Sequence, residues 1–320
     1  MRIRLPFLLS LACALFAAPA AAQEFPSKTI NIIVPLSAGG GTDLLARVIA
    51  AKMRERFGQP VTVENRPGAA GNIGADAVFK AAPDGYTLMF TQPAPLVVNK
   101  ALYAKLTYEP EQFVPIALVS LQDIMLAVHP GVPAKNLQEL IAYAKANPGK
   151  LNFGSSGAGS APHLAAELFN SMAGLKMVHV PYKGAAGSMA ATLGGQVDLT
   201  FFAFSTALKN AQAGKLRAIG VGSPKRNPQA PEVPSISEVI PGYSATSWTA
   251  FVAPPGTPAP VAQKLAQAVS EILKMPDVHG RMVDAGDATF DSTPEQMTAF
   301  LQEERQRWGD LIKAVGVKVE

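Results

Sequence analysis

The sequence is poor in the groups that do covalent and metal chemistry. Cys13 is its one cysteine, and it lies in a segment that reads as a removable leader, so the mature chain has no thiol nucleophile, disulfide or thiolate metal site. The four histidines, His129, His163, His179 and His279, show neither H-x-x-x-H nor H-E-x-x-H spacing, which leaves a helical zinc pair unsupported. No D-x-D-x-D-G calcium loop is present. Charge is sparse: 16% of residues are charged, and 28 Lys and Arg against 24 Asp and Glu give +4, or +2 once Arg2 and Arg4 leave with the leader. With no basic run interleaved with aromatics, nucleic acid is set aside as a partner. No apolar run beyond the leader reaches the roughly 20 residues a spanning helix needs.

What is present is a large apolar core. The chain has 320 residues, 48% of them hydrophobic, twice the usual size of one domain and far from the composition of a disordered chain. Its first 22 residues carry the three parts of an export signal: basic Arg2 and Arg4, an apolar stretch from Leu5 to Ala18, and the small residues Ala20-Ala21-Ala22 before Gln23. Cleavage after Ala22 and a periplasmic location are expected. A membrane anchor is the competing reading, but the apolar stretch is too short.

From Thr29 onward, short β-rich runs alternate with amphipathic ones, the pattern of α/β units around mostly parallel sheets. Strands are expected at 29–34, 61–64, 86–91, 150–153, 177–180, 197–202, 216–221 and 248–253. Helices are expected at 42–57, 73–82, 137–146, 185–193, 205–213, 258–273 and 294–314. Residues 116–128 form a β-prone run longer than the usual five or six residues, with no turn signal inside, and such a strand could cross between two domains.

Two segments repeat one device, a strand followed by a glycine-rich turn that opens a helix. The first is Ser37-Ala38-Gly39-Gly40-Gly41-Thr42-Asp43, where successive glycines let amides approach a ligand at a helix start carrying unpaired N–H groups and a positive dipole end. A tight turn with Thr42 or Asp43 as a helix cap is the plainer alternative. No phosphate-loop lysine follows, and Leu44 breaks the G-x-G-x-x-G spacing, so nucleotide binding is unsupported. Asp43 would repel a carboxylate directly and is expected to fix the loop or latch the other domain. The second segment is the 154–160 loop, with Ser155, Ser156 and Ser160 as hydroxyl donors and Gly157 and Gly159 as close-approach positions. A serine hydrolase elbow requires G-x-S-x-G; Ser156 lacks the second glycine and Ser155 the first, which argues against catalysis. Phe201, beside Phe202, is a candidate apolar wall of a cleft, with a place in the core as the plainer reading. Two helix starts facing each other across a cleft would grip an organic anion from both ends.

Taken together, the segments VPLSAGGGTDLLAR, VENRPGAAGNIGADAV, DGYTLMF, LYAKLTYEPEQFVPIALV, LQELIAYAKANPGKLNFGSSGAGSAPHLAAELF, VHVPYKGAAGSMAATLGGQVDLTF and SWTAFVAPPGTP resemble the periplasmic solute-binding proteins of tripartite tricarboxylate transporters, often called Bug proteins, over nearly all of the mature chain. The resemblance implies a two-domain α/β Venus flytrap of type II-like architecture with its ligand in the interdomain cleft. It divides the chain into residues 1–22 as signal, 23–120 with 247–320 as one domain, and 121–246 as the other. Ligand loops then fall on Ser37 to Asp43 and on Ser155 to Ser160, with His163 on the following helix, and the Val180-Pro181-Tyr182-Lys183-Gly184 turn adds Lys183 and Gly184. Ala38 replaces the family's common proline. Where many members carry an acid after the 196–198 strand, this chain has Phe202-Ala203-Phe204, which places Ala203 at the cleft and turns the expectation from amino acids toward dicarboxylic or aromatic acids.

The expected protein is therefore a monomeric, cofactor-free and metal-free binding protein, not an enzyme, that captures a small organic carboxylate and hands it to the permease subunits of a tripartite transporter. A periplasmic sensor presenting the same ligand to a receptor kinase is the alternative, and a periplasmic hydrolase a remote one.

Overall fold

The computed structural model describes residues 25–182 and 184–318; the leader, its cleavage site and Lys183 lie outside them. In chain order the elements are β1 (Ile30–Val34), α1 (Gly41–Phe57), β2 (Val61–Asn65), α2 (Asn72–Phe79), β3 (Thr87–Thr91), α3 (Asn99–Leu102), β4 (Val114–Val128), α4 (Leu137–Ala146), β5 (Asn152–Ser155), α5 (Ala161–Ala173), β6 (Val178–Pro181), α6 (Ala185–Leu193), β7 (Leu199–Ala203), α7 (Phe204–Gln212), β8 (Arg217–Val221), β9 (Thr246–Ala253), α8 (Ala259–Leu273), α9 (Pro276–Ala285), β10 (Asp287–Thr289) and α10 (Pro294–Val315).

The strands run in the order β2-β1-β3-β9-β4-β7-β5-β6, with β8 and β10 also on β4. β4 is the shared member. Its first part pairs with β9 as far as Asp123↔Thr246, and its second part pairs with β7 from Ile124↔Ala203. One strand therefore belongs to two sheets, as its length and lack of turn residues lead one to expect. The sheets are less parallel than the alternating pattern implies. β1 is parallel to β2 and β3, and β5 to β6 and β7, but β9 runs antiparallel to both β3 and β4, and β4 antiparallel to β7 and β8. The strands that pass between the halves enter each sheet against its parallel members, so the antiparallel pairs gather at the crossing.

Each sheet is covered on both faces. Ile30, Ile32 and Val34 pack with α1 and α8 through Ile49, Met53, Leu265 and Val269, while Ile33 on the opposite face packs with Trp248, Met297 and Leu301. In the other half Ile124, Leu126 and Val128 join Phe153, Phe169 and Phe201, whereas Met125 and Ala127 join Phe202, Phe204 and Leu208. This strict period of two on β4 is what a strand apolar on both faces gives when helices lie above and below it. Each buried aliphatic or aromatic side chain contributes about 1.5–3 kcal/mol relative to exposure. The outcome is a two-domain α/β binding-protein fold. At the crossing, Gly222 donates to the Ile124 carbonyl at 2.6 Å, and a Cβ there would lie 2.1 Å from the Ala245 carbonyl oxygen, so only glycine fits.

Three elements are absent from the expected list, the first being the four-residue α3. α9 carries Pro276 at its first turn and buries only Val278 and Met282, and β10 has three residues.

Candidate functional site

A cavity of about 860 Å³ lies between the two halves. It is lined by Gly41, Thr42 and the exposed side of α1, by Gln92 after β3, by Gln122 and Asp123 at the crossing, by Ala185, Ala203 and Phe204 to Thr206, and by Arg281, Met282 and Ala285 to Asp287. Three helices begin at it: α1 from one half, α6 and α7 from the other. Amides in the first turn of a helix have no intrahelical acceptor and sit at its positive dipole end, so this convergence favours an anion.

The first loop is built to expose backbone. Ser37 to Gly41 are exposed, whereas Thr42 and Asp43 are buried. Gly39 has φ +82°, a left-handed conformation that suits glycine. Gly40 is the N-cap of α1 and no side chain caps the helix, so the capping role expected as an alternative for Thr42 or Asp43 is not the one they have. The Asp43 carboxylate instead accepts from the Gly39 amide at 2.8 Å, from Asn65 Nδ2 at 3.0 Å and from Arg47 Nε at 3.1 Å. Burial pushes its carboxyl up, but these donors outweigh burial and hold it below the ordinary aspartate value. Asp43 thus ties the loop to β2 and to its own helix. The Thr42 hydroxyl accepts from Gln92 Nε2 at 3.0 Å, fixing the loop to the end of β3.

The second loop is spent on itself. Ser155 is fully buried. Its Oγ lies 2.6 Å from His179 Nε2, accepts from the Gly157 amide at 3.1 Å and faces the Gly157 carbonyl. Ser160 donates to that same carbonyl at 2.7 Å. His163 is buried, accepts the Gly159 amide on Nδ1 at 2.9 Å, and stacks on His179 with ring centroids 3.8 Å apart. Burial, helped by the neighbouring His163, pushes the His179 pKa down to about 4. Ser155 to Ser160 and His163 are not among the residues lining the cavity. The loop instead carries the next one: Ser155 and Ser156 accept the amides of Tyr182 and Gly184 through their carbonyls, and Ala185 lines the cavity.

Three residues expected at the ligand are packed inward. Phe201 is fully buried in the core with Phe169, their ring centroids 5.9 Å apart, because the alternation along β7 turns it to the helix-covered face. His163 and Ser155 are likewise committed inward. Ala203 lines the cavity. Lys183 lies outside the described residues, and Gly184, exposed with φ +99°, borders the start of α6.

Four charged residues at the cavity were not anticipated. Arg47 donates to Asp43 and, at 2.9 Å, to Asn65 Oδ1. Asp123 accepts from the Ser223 hydroxyl at 2.6 Å, from the Ser223 and Ile124 amides and from Asn227, and Asp287 accepts from Gln122 at 3.2 Å. Burial raises the pKa of both acids. Arg281 has no hydrogen-bond or ion-pair partner among the described residues. Gln92, Asp123, Ser205 and Thr206 had a signal available, since each sits at the end or crossing of a strand where α/β proteins place ligands; Arg281 had only the first-turn Pro276 of its helix. Among the described residues no group of His, Cys, Asp and Glu is placed to hold a metal ion, and no helix is long and apolar enough to cross a membrane.

Known proteins resemble this chain along nearly its whole length. The family described as tripartite tricarboxylate transporter family receptor matches residues 45–317. Protein BugT of Bordetella pertussis is 36% identical over 313 residues, covering 97% of this chain and 96% of that protein. Among solved structures, R. palustris Rpa4515 with adipate superposes at TM-score 0.81 with 33% identity, covering 92% of this chain and 99% of the other. MatC from Rhodopseudomonas palustris, solved with bound malate, gives TM-score 0.78 and 34% identity over 90% of this chain and all (100%) of the other.

Proposed function

Since this chain belongs to the tripartite tricarboxylate transporter receptor family, a family of binding proteins rather than enzymes, we propose that it captures a small dicarboxylate or aromatic carboxylate in the periplasm for delivery to the permease subunits of a tripartite transporter. The observation that carries this reading is the convergence of the α1, α6 and α7 starts on one cavity between the halves. Helix-end amides there would bind carboxylate oxygens without a charged side chain. The ligand residues are the first loop from Ser37 to Thr42, with Gly184, Ala185 and Ala203 opposite, while Ser155 to Ser160 and His163 support the second wall. Asp43 orients the loop. The mature chain would begin at Gln23 and act as a monomer. Its two domains would be residues 23–120 with 247–320, and residues 121–246, turning about the crossing of β4.

A thermal-shift screen followed by titration calorimetry tests this. A carboxylate at roughly 100 times its dissociation constant stabilises by about 2.7 kcal/mol, so dicarboxylates or aromatic acids are expected to raise Tm clearly, with sugars and cationic amines inert. A shift with a sugar alone would overturn the anion site, and turnover of a bound acid would overturn the receptor role. Co-purification with permease subunits, against a receptor kinase, separates transport from sensing.

A further inference from the structure

We propose that the cleft continues past the helix starts as an apolar channel along α1 that ends at Arg281, so that the preferred ligand is an unbranched aliphatic acid carrying a second carboxylate at its far end. This rests on the reading above in one respect: the first carboxylate is held at the start of α1.

The channel is visible in the lining. Leu44, Leu45, Val48 and Ala51 on α1 face the cavity, with Met282 on α9 and Phe204 on α7 contributing apolar surface. Leu44 is 57% exposed, a large aliphatic side chain left beside a cavity whose walls are apolar around it. A short diacid held at Gly41 and Thr42 would leave most of this surface in water.

The far end is set by charge. Four charged residues line the cavity, and three have partners: Arg47 with Asp43 and Asn65, Asp123 with Ser223 and Asn227, and Asp287 with Gln122. Arg281 alone is uncommitted among the described residues. An uncommitted guanidinium at the end of an apolar passage selects an anion, and its planar fork matches a carboxylate.

The distance follows from how α9 lies on α1. Lys52 near the end of α1 pairs with Asp277 in the first turn of α9 at 3.0 Å, whereas Gly286, just beyond α9, faces Ser205 at the start of α7. With Asp277 anchored beside Lys52 and Gly286 beside the start of α7, we place Arg281, four residues past Asp277, about level with Val48, which lines the same cavity. Val48 lies about 10 Å along the axis from Gly41 at 1.5 Å per residue. That gap exceeds the reach of succinate and suits diacids such as suberate and sebacate.

The test is titration calorimetry of the exported, leader-free protein with succinate, adipate, suberate and sebacate, and with octanoate and decanoate as the matching monoacids. Wild-type protein is expected to bind tighter along the diacid series, by about two- to fourfold for each methylene newly buried, and to prefer sebacate over decanoate at least about tenfold, the value of one charge-assisted pair. In Arg281→Gln that preference should collapse toward unity. Leu44→Gln, at an exposed position where the fold tolerates it, should flatten the dependence on chain length while the preference for the diacid persists. Binding of succinate or adipate with no gain for longer diacids, or an unchanged sebacate-to-decanoate ratio in Arg281→Gln, overturns the channel and leaves the receptor role standing. Failure of every carboxylate to bind overturns both.

Discussion

The glycine loop at 37–43 and the serine loop at 154–160 share a local design, a strand feeding a helix through small residues, and the fold puts them to opposite uses. In the first, a buried side chain holds the loop from behind: Asp43 takes the Gly39 amide, Asn65 and Arg47, and the amides in front are left exposed. In the second, the hydroxyls and imidazoles that would have reached a ligand are consumed by the loop's own backbone and by each other. Hydroxyl-rich sequence therefore does not mean hydroxyl-donating surface. What a loop offers a ligand is what its own hydrogen bonding leaves over.

The sharpest way to break this contrast is to remove the hold on the first loop. Asp43→Ala removes the acceptor of the Gly39 amide and one partner each of Asn65 and Arg47 at the back of the loop. It should cost about 2–4 kcal/mol of folding stability, read by urea denaturation, and ligand affinity should fall with it. Because folding lowers the Asp43 pKa, its contribution is present above the ordinary value near 3.8 and is lost as pH falls through the folded value. Asp43→Asn should therefore flatten the acid limb of the stability curve. A variant as stable as wild type would show that the loop holds itself.

Next in size is the exposed backbone itself. A Cβ at Gly41 meets nothing within 4 Å and its φ is ordinary, so Gly41→Val should fold with little change in Tm while its side chain occupies the approach to the first-turn amides. A loss of about 1–3 kcal/mol of binding free energy is expected, one or two charge-assisted hydrogen bonds. Calorimetry showing wild-type affinity in the folded variant would reduce the glycines to a turn.

The crossing of β4 was legible because so long a β-prone run with no glycine or asparagine inside it has few other readings. The first loop was legible because three glycines before a helix leave little else to expect. Phe201 was not, since every residue of β7 except Ala203 is buried, and alternation in a doubly covered strand does not say which face meets the cleft. Arg281 was not, because α9 has a glycine at 280 and a two-residue apolar stripe, too weak a period to place a helix. The serine loop misled for a physical reason: its partners His179 and His163 lie later in the chain, and spacing alone cannot report that they stack on it.

The half-buried His179 gives a pH effect confined to the second half. Folding lowers the His179 pKa from an ordinary 6.5 to about 4, chiefly by burial, so the unfolded chain binds the proton that the folded one refuses. Stability should then decline as pH falls between those two values and level off below them. His179→Gln, which keeps a side-chain amide near Ser155, should remove most of that slope without altering the acid limb that belongs to Asp43. An unchanged slope would place the titration elsewhere.

The smallest expected effect bears most directly on which loop meets the ligand. Ser160 is partly exposed, and from the sequence its hydroxyl is a candidate donor to a carboxylate. In the structure it donates to the Gly157 carbonyl at 2.7 Å, and that carbonyl also faces the Ser155 hydroxyl at 3.1 Å and the Ser160 amide at 3.2 Å. Ser160→Ala therefore leaves the acceptor satisfied. The loss should sit at the low end of a net hydrogen bond, about 0.5 kcal/mol of stability, with affinity changed less than about twofold. If the hydroxyl turned to the ligand when the cleft closed, the same substitution would lower affinity about tenfold or more, and the two loops would be equal partners after all. Calorimetry on Ser160→Ala beside Gly41→Val reads the two sides of the cleft on one scale.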